Sequence, residues 1–187
     1  ERATHDAFVI PKRRRDWLAG RVAAKTLIAQ RHDPTGTDRF TRIAITPIAD
    51  GPERGRPRYA VDDHAGPFDV SIAHCGDVAI AALGEHGDRV GVGLEATIDA
   101  GPGFDDLAFS PTERGPLATL PSSARADHRT HLWTLKEALL KATGMGLRAR
   151  LPDISVALSP SIAFTSPAPS RAGLFHIDAL VGAWVVS

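Results

Sequence analysis

The chain has 187 residues with 22 Lys and Arg against 22 Asp and Glu, so its formal net charge is zero and no global field draws it to nucleic acid or a membrane. Its single cysteine, Cys75, excludes an intrachain disulfide and a cysteine-based zinc site, and a reducing, cytoplasmic setting is expected. No apolar run reaches the ~20 residues of a membrane span and no signal peptide is visible, while the length allows one large domain or two small lobes. The chain begins at Glu1 without Met, as expected of a trimmed protein or a domain cut from a longer one.

In chain order, the first predicted element is a helix over 17–28, where Leu18, Val22 and Leu27 share a stripe and the alanines favour helix. It follows Lys12-Arg13-Arg14-Arg15, and Arg14, Arg21 and Lys25 can project from its other side, either as a solvated face or as anion contacts. A polar turn at 32–38 leads to a strand over 42–47 and a Gly/Pro loop over 51–57 that carries Arg56. Residues 68–83 alternate around Gly76-Asp77 as a hairpin or two adjacent strands, with the lone His74 in the first. A strand over 90–97 contains Glu95 and is weakened by its glycines. Ser110, Pro111 and Glu113 form a capping box that opens a helix, and 121–127 joins it to the central helix.

That central helix spans 131–147. Leu132, Leu135 and Leu139 make one apolar face, Trp133, Glu137 and Lys141 make a second, and Gly144 and Gly146 stop it. Spacing alone reads Glu137 and Lys141 as an ordinary surface pair worth ~0.2–0.5 kcal/mol. Strands over 154–158, 174–177 and 180–186 close the chain around a Pro/Ser turn region at 159–170. The order of elements gives an α+β fold of two similar lobes, 1–89 and 90–187, each a small antiparallel-rich sheet with a packed helix.

The string Trp133-x-x-Lys136-Glu137-Ala138-x-x-Lys141-x-x-Gly144-x-Gly146-Leu147 resembles the signature helix of the 4′-phosphopantetheinyl transferases of the broad-specificity, two-lobed type. Further pieces agree. Gly55-Arg56-Pro57 resembles the family's Gly-Lys/Arg-Pro element. Phe68 to Gly76 resembles Phe-Asn-x-Ser-x-Ser-His-Ser-Gly, with Ala73 and Cys75 where serines are usual, and 109–113 resembles Phe-Ser-x-x-Glu. The strand at 91–95 resembles Gly-x-Asp-x-Glu, but Gly93 stands in the aspartate's position. The resemblance covers Arg14 to the C-terminus and implies lobes related by a pseudo-twofold, with coenzyme A in the cleft between them.

The implied activity is that of a holo-[acyl-carrier-protein] synthase, moving the 4′-phosphopantetheine arm of coenzyme A to a serine of an apo acyl or peptidyl carrier protein. Such carriers serve fatty-acid, polyketide or nonribosomal-peptide synthesis. By the same resemblance, Glu95 and Glu137 hold Mg²⁺, Glu137 or a water beside it is the base, and Lys141 stabilises phosphate. Arg14, Arg21, Arg56, His74, Lys136 and Lys141 meet coenzyme A, with Arg56 and His74 at its nucleotide end. A monomer is expected. Gly93 is expected to weaken the metal and open space beside the diphosphate, so that Gly93→Asp would restore a ligand. The competing expectation is a coenzyme A–binding or carrier-docking domain without turnover.

Overall fold

The computed structural model describes residues 1–33, 40–85, 87–158, 161–165 and 169–187. Its helices are α1 (Arg2–Asp6), α2 (Pro11–His32), α3 (Pro102–Ala108), α4 (Pro111–Thr119) and α5 (Ser122–Thr143). Its strands are β1 (Ile43–Pro47), β2 (Pro57–Val61), β3 (His64–Ala65), β4 (Val70–Cys75), β5 (Val78–Leu83), β6 (Val90–Ala96), β7 (Val156–Ala157), β8 (Ala163–Phe164), β9 (Arg171–Ile177) and β10 (Leu180–Val186). The result is an α+β molecule with antiparallel sheets β1-β2-β3, β4-β5, β6-β10-β9 and β7-β8. The turn expected at 32–38 lies largely outside the described residues.

Each half sets one 22-residue helix on antiparallel strands. In the first half α2 buries Ala24, Ile28 and Ala29 in a core with Ile43, Ile45, Tyr59 and Val70. In the second, α5 lies on β6 and β10 and buries Leu132, Leu135, Ala138 and Leu139 with Phe109, Leu117, Ala183 and Val185. A third cluster, around Ala73, Val92 and Leu94, packs β4 and β5 against β6 and joins the halves.

Several boundaries differ from the sequence expectation for physical reasons. Residues 121–127 do not link two helices; α5 begins at Ser122. Arg125 ties its first turn to α4 by donating to Leu120 O at 2.8 Å and Ala118 O at 3.3 Å, and Ala126 is buried beneath. Strand β2 carries little alternation, yet Tyr59 opposite Ile45 fills the first core, its hydroxyl 2.9 Å from His32 Nε2. Helix α5 ends where expected, on Gly144 with φ +70°, the left-handed conformation that an L side chain resists.

The capping box at α4 forms: Ser110 N donates to Glu113 Oε2 at 2.7 Å. Glu113 does more than cap. It also accepts from Val156 N and from Lys136 Nζ, each at 2.7 Å, in a buried node where α4, α5 and β7 meet.

Candidate active site

A cleft of about 560 Å³ opens between the halves. One wall is α2, through Trp17 and Arg21; another is the loop 53–56 with Pro57; the floor is β4 from Val70 to His74; and the far wall is α5, through Glu137, Leu140 and Lys141, with Gly144 and Gly146 at its end. Five of the sequence candidates, Arg21, Arg56, His74, Glu137 and Lys141, therefore share one cavity although they come from three separate elements and a loop.

The acidic group at this cleft is a pair. Glu95, half-buried near the end of β6, has its pKa raised by desolvation first and by the Glu137 charge second, while a hydrogen bond from Trp133 and the charge of Lys141 oppose. Lys141 is pushed the other way: burial lowers its pKa, and Glu137 and Glu95 hold it up. Its ammonium donates to Val92 O at 2.9 Å, bridging α5 to β6. The face of α5 that carries Trp133, Glu137 and Lys141 thus meets Glu95 electrostatically across the β6–α5 seam.

That seam is tight because of its glycines. A Cβ on Gly91 would lie 1.8 Å from Ala138 O, and one on Gly93 would lie 2.6 Å from Thr134 O and 2.9 Å from Thr134 Cγ2. The expectation that Gly93 leaves open space beside the diphosphate is therefore corrected. The backbone of α5 has closed over the position, so the missing aspartate is not a vacancy that a side chain could enter without moving the helix. Among the described residues no group of three or more His, Cys, Asp or Glu gathers as a metal site. The two carboxylates are the oxygen donors the seam offers, and a divalent cation that keeps several waters suits a pair of like-charged, partly desolvated carboxylates.

Two expected coenzyme A contacts are corrected. Lys136 does not face the cleft. It has no solvent exposure and gives its ammonium to Glu113 Oε2 at 2.7 Å, Ala108 O at 2.9 Å and Leu151 O at 3.0 Å. Position 136 lies on the apolar side of α5 with Leu132 and Leu139, so a three-donor ammonium there has to find its partners inside. Arg56 lies in the cleft wall, but its guanidinium is engaged on every side. Nε donates to Asp69 Oδ1 at 2.9 Å and Nη2 to Asp69 Oδ2 and to Val90 O at 3.3 Å, while Nη1 donates to Lys141 O and to Ala142 O at 3.2 Å. Those contacts use all five N–H donors and leave none for a phosphate.

The basic residues of α2 separate in the same way. Arg14 donates to Phe8 O at 2.9 Å outside the cleft wall, and Lys25 is tied to Glu1 at 2.5 Å. Arg21 alone turns in. Its guanidinium carbon sits 4.7 Å from the centre of the Trp17 ring, burial lowers its pKa, and its Nε is buried without a hydrogen-bond partner. Sequence reasoning missed the Trp17 shelf, although an aromatic and an arginine at i and i+4 on one helix are its signal. It also missed Asp16, whose carboxylate lies 4.0 Å from His74 Nδ1, and Asp69, the partner of Arg56, which had no distinguishing mark beyond its motif.

Comparison with known proteins fits this geometry. The family model of the 4′-phosphopantetheinyl transferase superfamily matches residues 89–185, just over half of the chain. The chain belongs to that superfamily. The 4′-phosphopantetheinyl transferase HetI of Nostoc sp. is 28% identical over 196 residues, spanning 100% of this chain and 77% of its own. A Synechocystis sp. protein provisionally named a 4′-phosphopantetheinyl transferase is 29% identical over 158 residues, 82% of this chain. The chain spans 59% of that relative's length. A holo-(acyl-carrier-protein) synthase of Bacillus anthracis, solved in complex with CoA (3′,5′-ADP), aligns with a TM-score of 0.46 and 19% identity over 52% of this chain and 93% of its own.

Proposed function

We propose that the protein transfers the 4′-phosphopantetheine arm of coenzyme A to a serine of an apo acyl or peptidyl carrier protein, in the reducing, cytoplasmic setting in which such carriers work. The observation that carries this reading is the convergence of Glu137, Lys141, His74 and Arg21 on one cleft, with Glu95 beside it. Coenzyme A is long and polyanionic at its nucleotide end. The Arg21–Trp17 shelf and His74 suit that end, and Lys141 with the carboxylate pair suits the diphosphate.

The bond that forms joins the serine Oγ to the phosphorus carrying the pantetheine arm, and the bond that breaks releases 3′,5′-ADP. Glu137, in the cleft wall, takes the serine proton, directly or through one water. Lys141 holds its charge beside the phosphoryl oxygens from a partly desolvated position, where a cation counts for more than in water. Glu95 and Glu137 would hold Mg²⁺, which supplies charge neutralisation to the diphosphate. A hydrogen bond from Trp133 favours the ionised form of Glu95 against its desolvation and the Glu137 charge.

One observation favours a second reading. With α5 packed over Gly93, the seam lacks a third carboxylate, and a protein that binds coenzyme A and docks a carrier without transfer fits that loss. Incubation with coenzyme A, Mg²⁺ and apo acyl carrier protein separates the two. A carrier mass increased by one phosphopantetheine supports transfer, and calorimetric coenzyme A binding with an unmodified carrier supports the second reading.

A further inference from the structure

The loop between β1 and β2 grips the end of α5. It is itself firm: Gly55 N donates to Ile48 O at 2.9 Å and Ile48 N to Arg56 O at 2.8 Å. From it Glu53 pairs with Arg89, Pro52 O accepts from Arg148, and Arg56 donates to the carbonyls of Lys141 and Ala142. The last turn of a helix leaves its carbonyls without intrahelical donors and carries a partial negative charge, so a guanidinium is the natural cap. Here the cap comes from the other half of the molecule. Its counter-ion Asp69 also accepts from Val90 N at 2.7 Å, which ties the same arginine to the start of β6. Gly144 sits inside the grip: a Cβ there would lie 3.3 Å from Arg89 Nη2, 3.4 Å from Glu53 Oε1 and 3.7 Å from Arg56 Nη1.

We infer that Arg56, fixed by Asp69, is a positioning residue that locks the last turn of α5 against β6 and so sets where Lys141 and Glu137 stand in the cleft. The inference rests on the transfer reading above. The link is direct, because the carbonyl that Arg56 caps belongs to Lys141, whose ammonium reaches Val92 O two residues along β6 from the Val90 carbonyl that Arg56 also holds. Arg56 thus acts through α5, with its N–H donors spent on protein groups.

The test uses Arg56→Ala, Arg56→Lys and Asp69→Asn, with apo acyl carrier protein and coenzyme A as probes. In Arg56→Ala, kcat falls about 10²-fold through misplacement of the reacting groups, while the calorimetric Kd for coenzyme A stays within about twofold of wild type. Amide exchange over 141–146 accelerates. Added guanidinium ion restores part of kcat. Arg56→Lys does not restore it, because the three donors of one ammonium cannot replace a five-donor fork that holds both Asp69 oxygens and the carbonyls of Lys141, Ala142 and Val90. A Kd raised about tenfold or more with kcat retained would assign Arg56 to the phosphates and overturn the inference; so would unchanged exchange. If Arg56→Ala does not fold, the near-isosteric Asp69→Asn must show the same split, and its failure to do so overturns the inference. A wild-type protein that binds coenzyme A without transfer would end the transfer reading, and exchange alone then decides whether Arg56 locks the turn.

Discussion

Lys136 and Lys141 stand little more than one turn apart on α5, and burial lowers the pKa of both. Their surroundings differ. Lys136 sits in a closed network: its ammonium meets Glu113 and two carbonyls, and Glu113 is in turn held by Ser110 N and Val156 N. Among the described residues the ammonium of Lys141 donates to Val92 O, and it is otherwise sustained by the fields of Glu137 and Glu95 at a cleft wall. A buried charge whose partners are complete holds a core together, whereas one balanced by field across an open cavity is free to meet a ligand. One helix therefore serves the second core with one side and lines the cleft with the other.

The largest effect should come from opening the closed network. Lys136→Met leaves Glu113 buried without its counter-ion, a loss expected to cost ~3–5 kcal/mol, measurable as a lower urea midpoint. If the variant proved as stable as wild type, the two sides of α5 would not differ as argued. The cleft side should respond in the opposite manner. Glu137→Gln keeps shape and removes the proton acceptor, so transfer falls by about 10²–10⁴-fold while the urea midpoint barely moves. An unfolding shift as large as that of Lys136→Met would place Glu137 in the structural class.

Gly93→Asp tests the seam between the two sides. The strand geometry at Gly93 is ordinary, so no left-handed backbone opposes the change, but Thr134 O does, 2.6 Å from the new Cβ. Overpacking of this kind costs ~1–3 kcal/mol, and the expected result is a less stable protein with no gain in turnover or Mg²⁺ affinity. A variant that folded as well as wild type and needed less Mg²⁺ would show that α5 can retreat and that the seam has room for a third ligand.

The sequence made the large features legible where local rules and tertiary demands coincide. The Gly144 stop, the Ser110–Glu113 box and the β4–β5 hairpin each follow from neighbouring residues alone. The cleft was legible through motif likeness, which marked Glu95, Glu137, Lys141 and His74. What failed was the direction in which cations point. Helical spacing puts Lys136 with Leu132 and Leu139 and Lys141 with Glu137, but nothing local names the partner that either cation finds, and nothing local separates Arg56 from Arg21. Which of them meets an internal carboxylate depends on where Glu113 and Asp69 arrive from, 23 and 13 residues away. The filling of the Gly93 position was equally hidden, because it depends on how closely α5 approaches β6.

Glu95 carries the smallest effect and the sharpest sign. Its pKa lies above the ordinary value of 4.5, chiefly because it is desolvated and then because Glu137 repels it. The folded protein therefore binds this proton more tightly than the unfolded chain does. The stability it contributes is fully present below pH 4.5 and is lost as pH rises through the folded value, so that ionised Glu95 opposes folding at neutral pH. Glu95→Gln removes that opposition. It should raise the melting temperature at pH 7 and leave it unchanged at pH 4, with a gain below ~1 kcal/mol because the carboxylate is only half-buried. The closed network predicts no such gain at Glu113, whose charge is matched. The open one does, and a divalent cation bound by the pair should provide the same relief. Added Mg²⁺ should therefore stabilise wild type more than Glu95→Gln, by mass action on the folded form. Melting curves at pH 4 and pH 7, with and without Mg²⁺, decide it. A variant less stable than wild type at pH 7, or equal stabilisation of both by Mg²⁺, would show that Glu95 belongs to the scaffold and that the carboxylate pair does not share an ion.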